Sequence, residues 1–359
     1  MTDPLRRLLP TLYGAALPDL FDRPLVEEPR ATCSDCAMCD KGDANAGLRA
    51  GFFKPDIKCC TYHPTLPGYL VGAALRDTSP EFATGRERLR KKLVARIGIT
   101  PGWLAAPRKQ NVLFEAARDS SFGRAESLVC PYYVRDGGKC SIWPYRESIC
   151  ATFFCKHASG KAGHTFWTAL KRYMIHMERK LTHYAVRTVD PDVIEPNLPM
   201  NKLTTEDLED RPPSTDTYAG WWKAWVGQEE EFYKACAAAV EALSPAAFAE
   251  IVHDEEGASR LADAAARYKD LTEPRLAPRL RLNPDMPVTP AEGGVAVIPY
   301  SRYDPLFLTE DLYLALQQFS SERDVATVLA DLMREHDVEL PEPLLLSMQQ
   351  AGVMTPVPD

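Results

Sequence analysis

The chain has 359 residues, enough for two or three domains. At 45% hydrophobic and 26% charged, it can bury a core without the help of disulfides. A formal net charge of −8 argues against wholesale binding to nucleic acid or anionic lipid, and no stretch approaches the apolar length that spans a bilayer.

Residues 1–30 are broken by Pro4, Pro10 and Pro18 and contain no sustained apolar run, so no secretory leader is expected. The expected compartment is the cytoplasm, where thiols stay reduced and clustered cysteines are more often metal ligands than disulfides. Residues 31–72 hold the first cysteine block: Cys33, Cys36 and Cys39 in CSDCAMC, an expected loop over 40–48, then the pair Cys59-Cys60. Pro64, Pro67 and Gly68 predict turns after it. A helix is predicted over 78–97, capped by Ser79 and closed by Gly98. Its Arg86, Arg88, Arg90, Lys91, Lys92 and Arg96 read as a solvated basic face. Helix is expected to continue over 103–118.

The second cysteine block runs CPYYVRDGGKCSIWPYRESICATFFC, with Cys130, Cys140, Cys150 and Cys155 among aromatics. The longest helix is predicted over 165–187. Phe166, Leu170, Tyr173, Met177, Leu181 and Tyr184 form its buried face, and Arg172, His176, Arg179, His183 and Arg187 a second, basic stripe. That stripe is either solvated or placed to offset the charge of thiolate-bound metal. Residues 191–213 are proline-rich and read as a linker or surface wrap. Helices follow from Tyr218, from Ser244 and over 255–269, with Trp221, Trp225, Phe232, Cys236 and Val240 on one face. Residues 272–292 read as a second linker, to a tail with a strand at 295–298 and helices over 309–319, 322–336 and 344–351. The inward residues of its middle helix are predicted as Val325, Val328, Leu329, Leu332 and Met333.

Nine of the ten cysteines fall in the two blocks. A C-x2-C step lets two sulfurs reach one ion from a single turn of backbone, and Cys33-x2-Cys36-x2-Cys39 offers three. Three sulfurs on one loop with a distant fourth is a common way to hold an iron–sulfur cluster. Cys59 or Cys60 can be that fourth, and Cys130, Cys140, Cys150 and Cys155 make a second set. Structural zinc accepts the same four thiolates, so spacing leaves the metal open. A catalytic-thiol system lacks the expected βαβ surroundings. There is no P-loop, no G-x-S-x-G, no H-E-x-x-H and no dinucleotide-binding glycine motif after a strand, so no reaction is assigned.

These residues resemble the YkgJ-type cysteine-cluster family of zinc- or iron-chelating proteins over about 31–157. Cys33, Cys36 and Cys39 match its first block, although Asp40 stands where its next cysteine would be. Cys130-Pro131-Tyr132, Cys140-Ser141-Ile142-Trp143, Tyr145-Arg146, Cys150 and Cys155 match its second segment, with Glu147 in place of a proline. The resemblance implies metal chelation and no defined reaction. The tail is similar, by pattern, to winged-helix units of the PqqD-like peptide-recognition type, which implies a peptide or protein partner. Around the ligands, Arg146 can balance thiolate charge, and His63 and His157 are expected as hydrogen-bonding neighbours more than as ligands.

The expected fold is mainly α, with an irregular Cys-rich metal-binding module and a small C-terminal winged-helix-like α/β unit. The expected domains are 1–160, 161–271 and 293–359, with 272–292 as a linker. The expected function is that of an iron–sulfur protein, with one or two clusters of the 4Fe–4S type and a redox or electron-transfer role. The alternative is a zinc-binding structural or adaptor protein.

Overall fold

The computed structural model describes residues 3–34, 36–39 and 53–358. The loop expected over 40–48 lies outside the described residues. The chain is mainly α-helical, with small antiparallel sheets, and divides into two compact units. The first comprises Met1–Val26, Cys33–Phe153 and Lys171–Ser259, the second Glu27–Thr32, Phe154–Leu170 and Arg260–Asp359.

The first unit opens on short 3-10 turns (Leu5–Leu8, Thr11–Ala16, Asp19–Asp22), each entered through a proline. Its centre is helix α1 (Gly68–Arg76), in which every residue from Gly68 to Leu75 is buried. Sequence pattern does not announce this helix. GYLVGAALR is only nine residues long, contains Gly68 and Gly72, and follows the turn signals Pro64 and Pro67. It packs on α8 (Glu229–Glu241), and a Cβ at Gly72 would lie 1.8 Å from the Tyr233 carbonyl oxygen. Glycine here permits contact between helix backbones that no side chain would allow. Tyr233 is fully buried and donates its hydroxyl to the carbonyls of Thr100 (2.6 Å) and Trp103 (3.1 Å).

Strand β1 (Leu66–Pro67) pairs antiparallel with β2 (Trp103–Leu104), so helix does not start at Trp103. Pro107 forces Ala106 toward extended backbone, and α3 (Arg108–Ser121) begins after it. The helix expected over 78–97 is α2 (Ala83–Ala95), entered by a 3-10 turn at Pro80–Phe82, and Ser79 makes no side-chain cap. It closes at Arg96 (φ 57°) rather than at Gly98, whose backbone is used in the turn that accepts Ala105 N–H (2.7 Å). The basic residues of α2 are spent on neighbours. Arg86 donates to the carbonyls of Asp77 and Ser79, Arg90 pairs with Glu230, and Lys91 with Glu87.

A hairpin of β3 (Tyr133–Val134) and β4 (Lys139–Cys140) and the short α4 (Ser148–Thr152) carry the second cysteine block. Helix α5 (Gly160–Val189) runs through both units and exceeds the predicted 165–187 at both ends. Its buried face is as expected, except that Tyr184 is only half-buried. In the second stripe His176 departs from the prediction: it is buried, with Nε2 3.1 Å from the Val252 carbonyl oxygen. The proline-rich 191–213 wraps the surface. Glu195 accepts from Thr100 Oγ1 (2.7 Å) and Gly102 N (2.6 Å), and Arg108 pairs with Asp207 of α6 (Thr205–Leu208).

In α7 (Thr215–Trp222) the buried tryptophan is Trp222, not Trp221. Lys223, at φ 51°, breaks the helix there and resets the phase of the pattern. Ser244 caps α9 (Pro245–Val252), and α10 (Glu255–Thr272) leads out of this unit. Among the described residues no single helix is long and apolar enough to cross a membrane, although α8 and α9, bent by 109°, satisfy length and composition together.

In the second unit, the segment 272–292 is a structured part of the fold rather than a linker. Strand β5 (Leu280–Leu282) pairs with β9 (Met354–Pro356), and β6 (Val288–Ala291) forms a two-residue hairpin with β7 (Gly294–Val297). Strand β8 (Leu306–Thr309) completes an antiparallel sheet of order β6-β7-β8. Three helices follow: α11 (Glu310–Leu316), α12 (Val325–His336) and α13 (Glu342–Ala351), the last closed by Gly352 as expected. Leu280, Val297, Leu316, Val328, Leu345 and Val353 are among the fully buried residues of the core. Met333, expected inward, is 52% exposed.

Candidate metal centre

None of the ten cysteines is joined in a disulfide. Cys236 is buried in α8, where burial pushes its thiol up to about 12, the environment of a small core residue. Cys155 belongs to the second unit. The other eight (Cys33, Cys36, Cys39, Cys59, Cys60, Cys130, Cys140 and Cys150) lie in the first unit, on turns, one hairpin and one short helix.

Backbone bonds hold the blocks together. Cys39 N donates to Cys36 O (3.2 Å), closing a turn around fully buried Met38, whose carbonyl accepts from Phe53 N (3.0 Å). Cys130 N donates to Cys60 O (2.7 Å), which joins the end of the first block to the start of the second. Lys58 donates to the carbonyls of Cys33 (2.6 Å) and Gly138 (3.4 Å), so one ammonium spans the triplet loop and the β3–β4 turn. From α2, Arg88 donates to the carbonyls of Pro131 (2.5 Å) and Tyr133 (2.7 Å).

Cys150 lies in the first turns of α4, whose cap is Glu147. Its carboxylate accepts from the N–H groups of Ile149 and Cys150, an N-terminal cap that the expected proline could not provide. Buried Glu178 of α5 accepts from Ser148 N (2.7 Å) and Ser148 Oγ (2.8 Å). Burial raises the pKa of both carboxyls, and the charge of Glu147 raises Glu178 further. Arg146 lies over the Trp143 ring (3.4 Å to its centroid) and donates to the carbonyls of Trp143 and Cys150, both at 3.1 Å. Burial lowers its pKa, and negative charge on Cys140, Cys150 and Cys33 opposes that fall.

The thiols raise one another. Burial raises Cys33, although the residue as a whole is exposed, and the charge of Cys59 adds to the effect. Burial and then Cys36 push Cys39 up to about 12. A hydrogen bond with Cys60, then burial, lifts Cys59 well above its ordinary value. Burial pushes Cys130 up to about 12, and Cys140 adds to it. Cys140 is raised by burial and then by Cys33 and Cys59, and Cys150 by burial, then by Glu147 and Cys130. Charge in one block acts on the other, since Cys33 and Cys59 both raise Cys140. A multivalent cation among them would reverse each shift and favour thiolates. By donor chemistry the set therefore fits a thiolate-ligated centre. As the side chains stand, no group of three His, Cys, Asp or Glu that could hold a metal ion occurs among the described residues.

His63 is buried, its ring edge-on to Tyr132 (5.9 Å between centroids), and burial, then the charge of Lys92, pulls it down to about 3. In the second unit, His157 is also buried and is pulled down to about 4, by burial and then by His164. Its neighbour Asp304 is 1% exposed and is held by Arg30 (2.6 Å), Lys156 (3.5 Å) and the Tyr300 hydroxyl. Lys58, Glu178 and Asp304 escaped the sequence reading. Lys58 adjoins Cys59, and Glu178 interrupts an apolar face of α5, so each left a faint mark.

No protein-family model matches the chain, and no curated protein or solved structure matches it. The YkgJ-type resemblance thus rests on the motif residues alone.

Proposed function

We propose that the protein binds one or two iron–sulfur clusters of the 4Fe–4S type and serves a redox or electron-transfer role. The observation that carries this reading is that eight thiols from two sequence blocks lie in one unit, with the blocks joined by the bond from Cys130 N to Cys60 O (2.7 Å). Cys33, Cys36 and Cys39 would supply one set together with Cys59 or Cys60. Cys130, Cys140 and Cys150 would supply the other; Cys155, expected with them, belongs to the second unit. When bound, such a cluster stores and releases single electrons.

The chain's own residues prepare the surroundings. Arg146 and Lys58 place positive charge beside the sulfurs, which favours thiolates and a more reduced centre. Tyr132, Tyr133 and Phe53 are buried nearby and limit access of water. The antiparallel strands and three helices of the second unit support a peptide- or protein-binding role of the PqqD-like kind, and exposed Phe307, Leu314 and Met333 give it apolar surface.

Structural zinc is the second reading. It is favoured by the place of the thiols on turns and short elements, where ligation itself would fix the backbone. Visible and electron-paramagnetic spectra of protein purified without oxygen separate the two. A brown chromophore that bleaches on reduction and gains a paramagnetic signal is expected; colourless, spectroscopically silent protein would leave zinc.

A further inference from the structure

We infer that Glu28, Arg30 and Asp304 form a clasp that pins both ends of the thiol-bearing stretch at one point and makes its opening depend on the C-terminal module. The eight thiols of the first unit, from Cys33 to Cys150, all lie between Arg30 and His157 in the sequence. The flanks of that stretch, Glu27–Thr32 on one side and Phe154–Leu170 on the other, belong to the second unit together with Arg260–Asp359.

Within that unit the two flanks bond to each other. One oxygen of the Glu28 carboxylate accepts from Ala158 N (2.5 Å) and the other from Trp167 Nε1 (2.8 Å). Arg30 donates to the His157 carbonyl (3.4 Å). Both flanks are then tied to the C-terminal segment. Arg30 reaches the Asp304 carboxylate with both terminal nitrogens (2.6 and 3.3 Å), a two-point contact that fixes direction as well as distance. Lys156 pairs with the same carboxylate (3.5 Å). His157 N donates to the Tyr300 hydroxyl (3.3 Å), which itself donates to Asp304. At Gly160 a Cβ would lie 2.6 Å from the Ala351 Cα, so the first residue of α5 rests against the end of α13. Glu28 and Asp304 are buried, where salt and water screen such pairs least.

Holding the two ends of a long segment together lowers the entropy that the segment gains by opening, as a cross-link does. The effect is greatest beside the pin. Cys33, Cys36 and Cys39 follow Arg30 closely, and Cys150 shortly precedes His157. Asp304 stands on the turn that enters β8, an edge of the three-stranded sheet, and is not part of the module's apolar core. Moving Asp304 away from Arg30 therefore loosens both flanks while that core stays closed. The clasp thus sets how readily the nearby thiols are reached by an oxidant, a metal ion or a chelator. The competing view is that these bonds only brace the second unit.

The test uses the full chain, metal-free and fully reduced, with iodoacetamide as the probe and the alkylation rate at each cysteine read by peptide mass spectrometry. Arg30→Ala cuts the ties to Asp304 and His157 and should speed alkylation of Cys39 and Cys150 about tenfold. Arg30→Lys keeps the charge but loses the fork, and its rates should fall between those of Arg30→Ala and the wild type. Arg323→Ala removes another ion pair of the same module, to Asp331, and touches neither flank, so it should leave the rates at wild-type values. Cys236, outside the pinned stretch, should react at the wild-type rate in every variant. Wild-type rates at Cys39 and Cys150 in Arg30→Ala would overturn the clasp, and so would an equal rise at Cys236 or in Arg323→Ala, which would mean general loosening. The measurement needs no metal, so a wild-type chain that binds none would sink the proposed centre and leave the clasp to be judged on these rates.

Discussion

The cysteine-bearing region and the C-terminal module are built on opposite principles. In the C-terminal module, strands and helices surround a contiguous apolar core, with Leu280, Leu316, Val328 and Leu345 fully or almost fully buried. In the cysteine region, thiols sit on turns, a two-strand hairpin and a five-residue helix. Carbonyls there are tied by Lys58 and Arg88 rather than by long ladders. Apolar burial is intrinsic to a chain, but a set of mutually raised thiols is stable in its ligating form only with a cation among them. The C-terminal module should therefore hold its shape alone, while the cysteine region should depend on what it binds.

The largest expected effect follows directly. Removing metal with a chelator under reducing conditions should speed amide exchange about tenfold or more over 33–39, 53–60 and 130–152. Residues 280–356 should be unchanged, and uniform loosening of both regions would break the contrast. Next, Leu316→Ala should cost about 2–5 kcal/mol in chemical denaturation of the C-terminal module through the cavity it opens. Metal content should stay at the wild-type level.

Glu178 sharpens the picture of the cysteine region. Its folded pKa is raised by burial and then by Glu147, which favours its protonated form in the folded chain relative to the unfolded one. Its stabilising contribution is full below the unfolded carboxyl range and is lost as pH rises toward the folded value. Glu178→Gln mimics the protonated acid: its amide oxygen can accept from Ser148 N, and its amide N–H can donate to Ser148 Oγ in place of the bond that the carboxylate accepts. Denaturation at a series of pH values should show the variant gaining on the wild type with rising pH, by up to about 1.4 kcal/mol per unit. A constant difference would mean that the fold does not raise the Glu178 carboxyl. The smallest effect belongs to Thr309, whose hydroxyl caps α11: Thr309→Ala should cost about 1 kcal/mol and leave the cysteine region untouched.

Legibility in the sequence followed the range of the forces. Helix α5 could be read because Phe166, Leu170, Tyr173, Met177 and Leu181 repeat at helical spacing, and α13 because Gly352 ends it. Helix α1 could not, because its nine residues include Gly68 and Gly72 and follow Pro64 and Pro67, which together read as turn. The strands β5 and β6 hid inside a proline-rich stretch. One pairs with residues at the far end of the module and the other depends on its hairpin partner, and strand formation of this kind is set by context more than by local preference. At the site, residue type and spacing marked the cysteines and Arg146. The bonds that join their loops, Cys130 N–H to Cys60 O and Lys58 to Cys33 O, use main-chain carbonyls and leave no trace in residue identity. Glu147 was visible only as a departure from the expected proline; its role as the cap beside Cys150 emerged from geometry.

The most direct test is chemical analysis of the full chain purified without oxygen, with iron, acid-labile sulfide and zinc measured per polypeptide. Iron and sulfide in equal amounts, bound stoichiometrically and lowered when Cys130 and Cys140 are replaced by serine, are expected. Zinc alone, or no metal at all, would contradict the assignment.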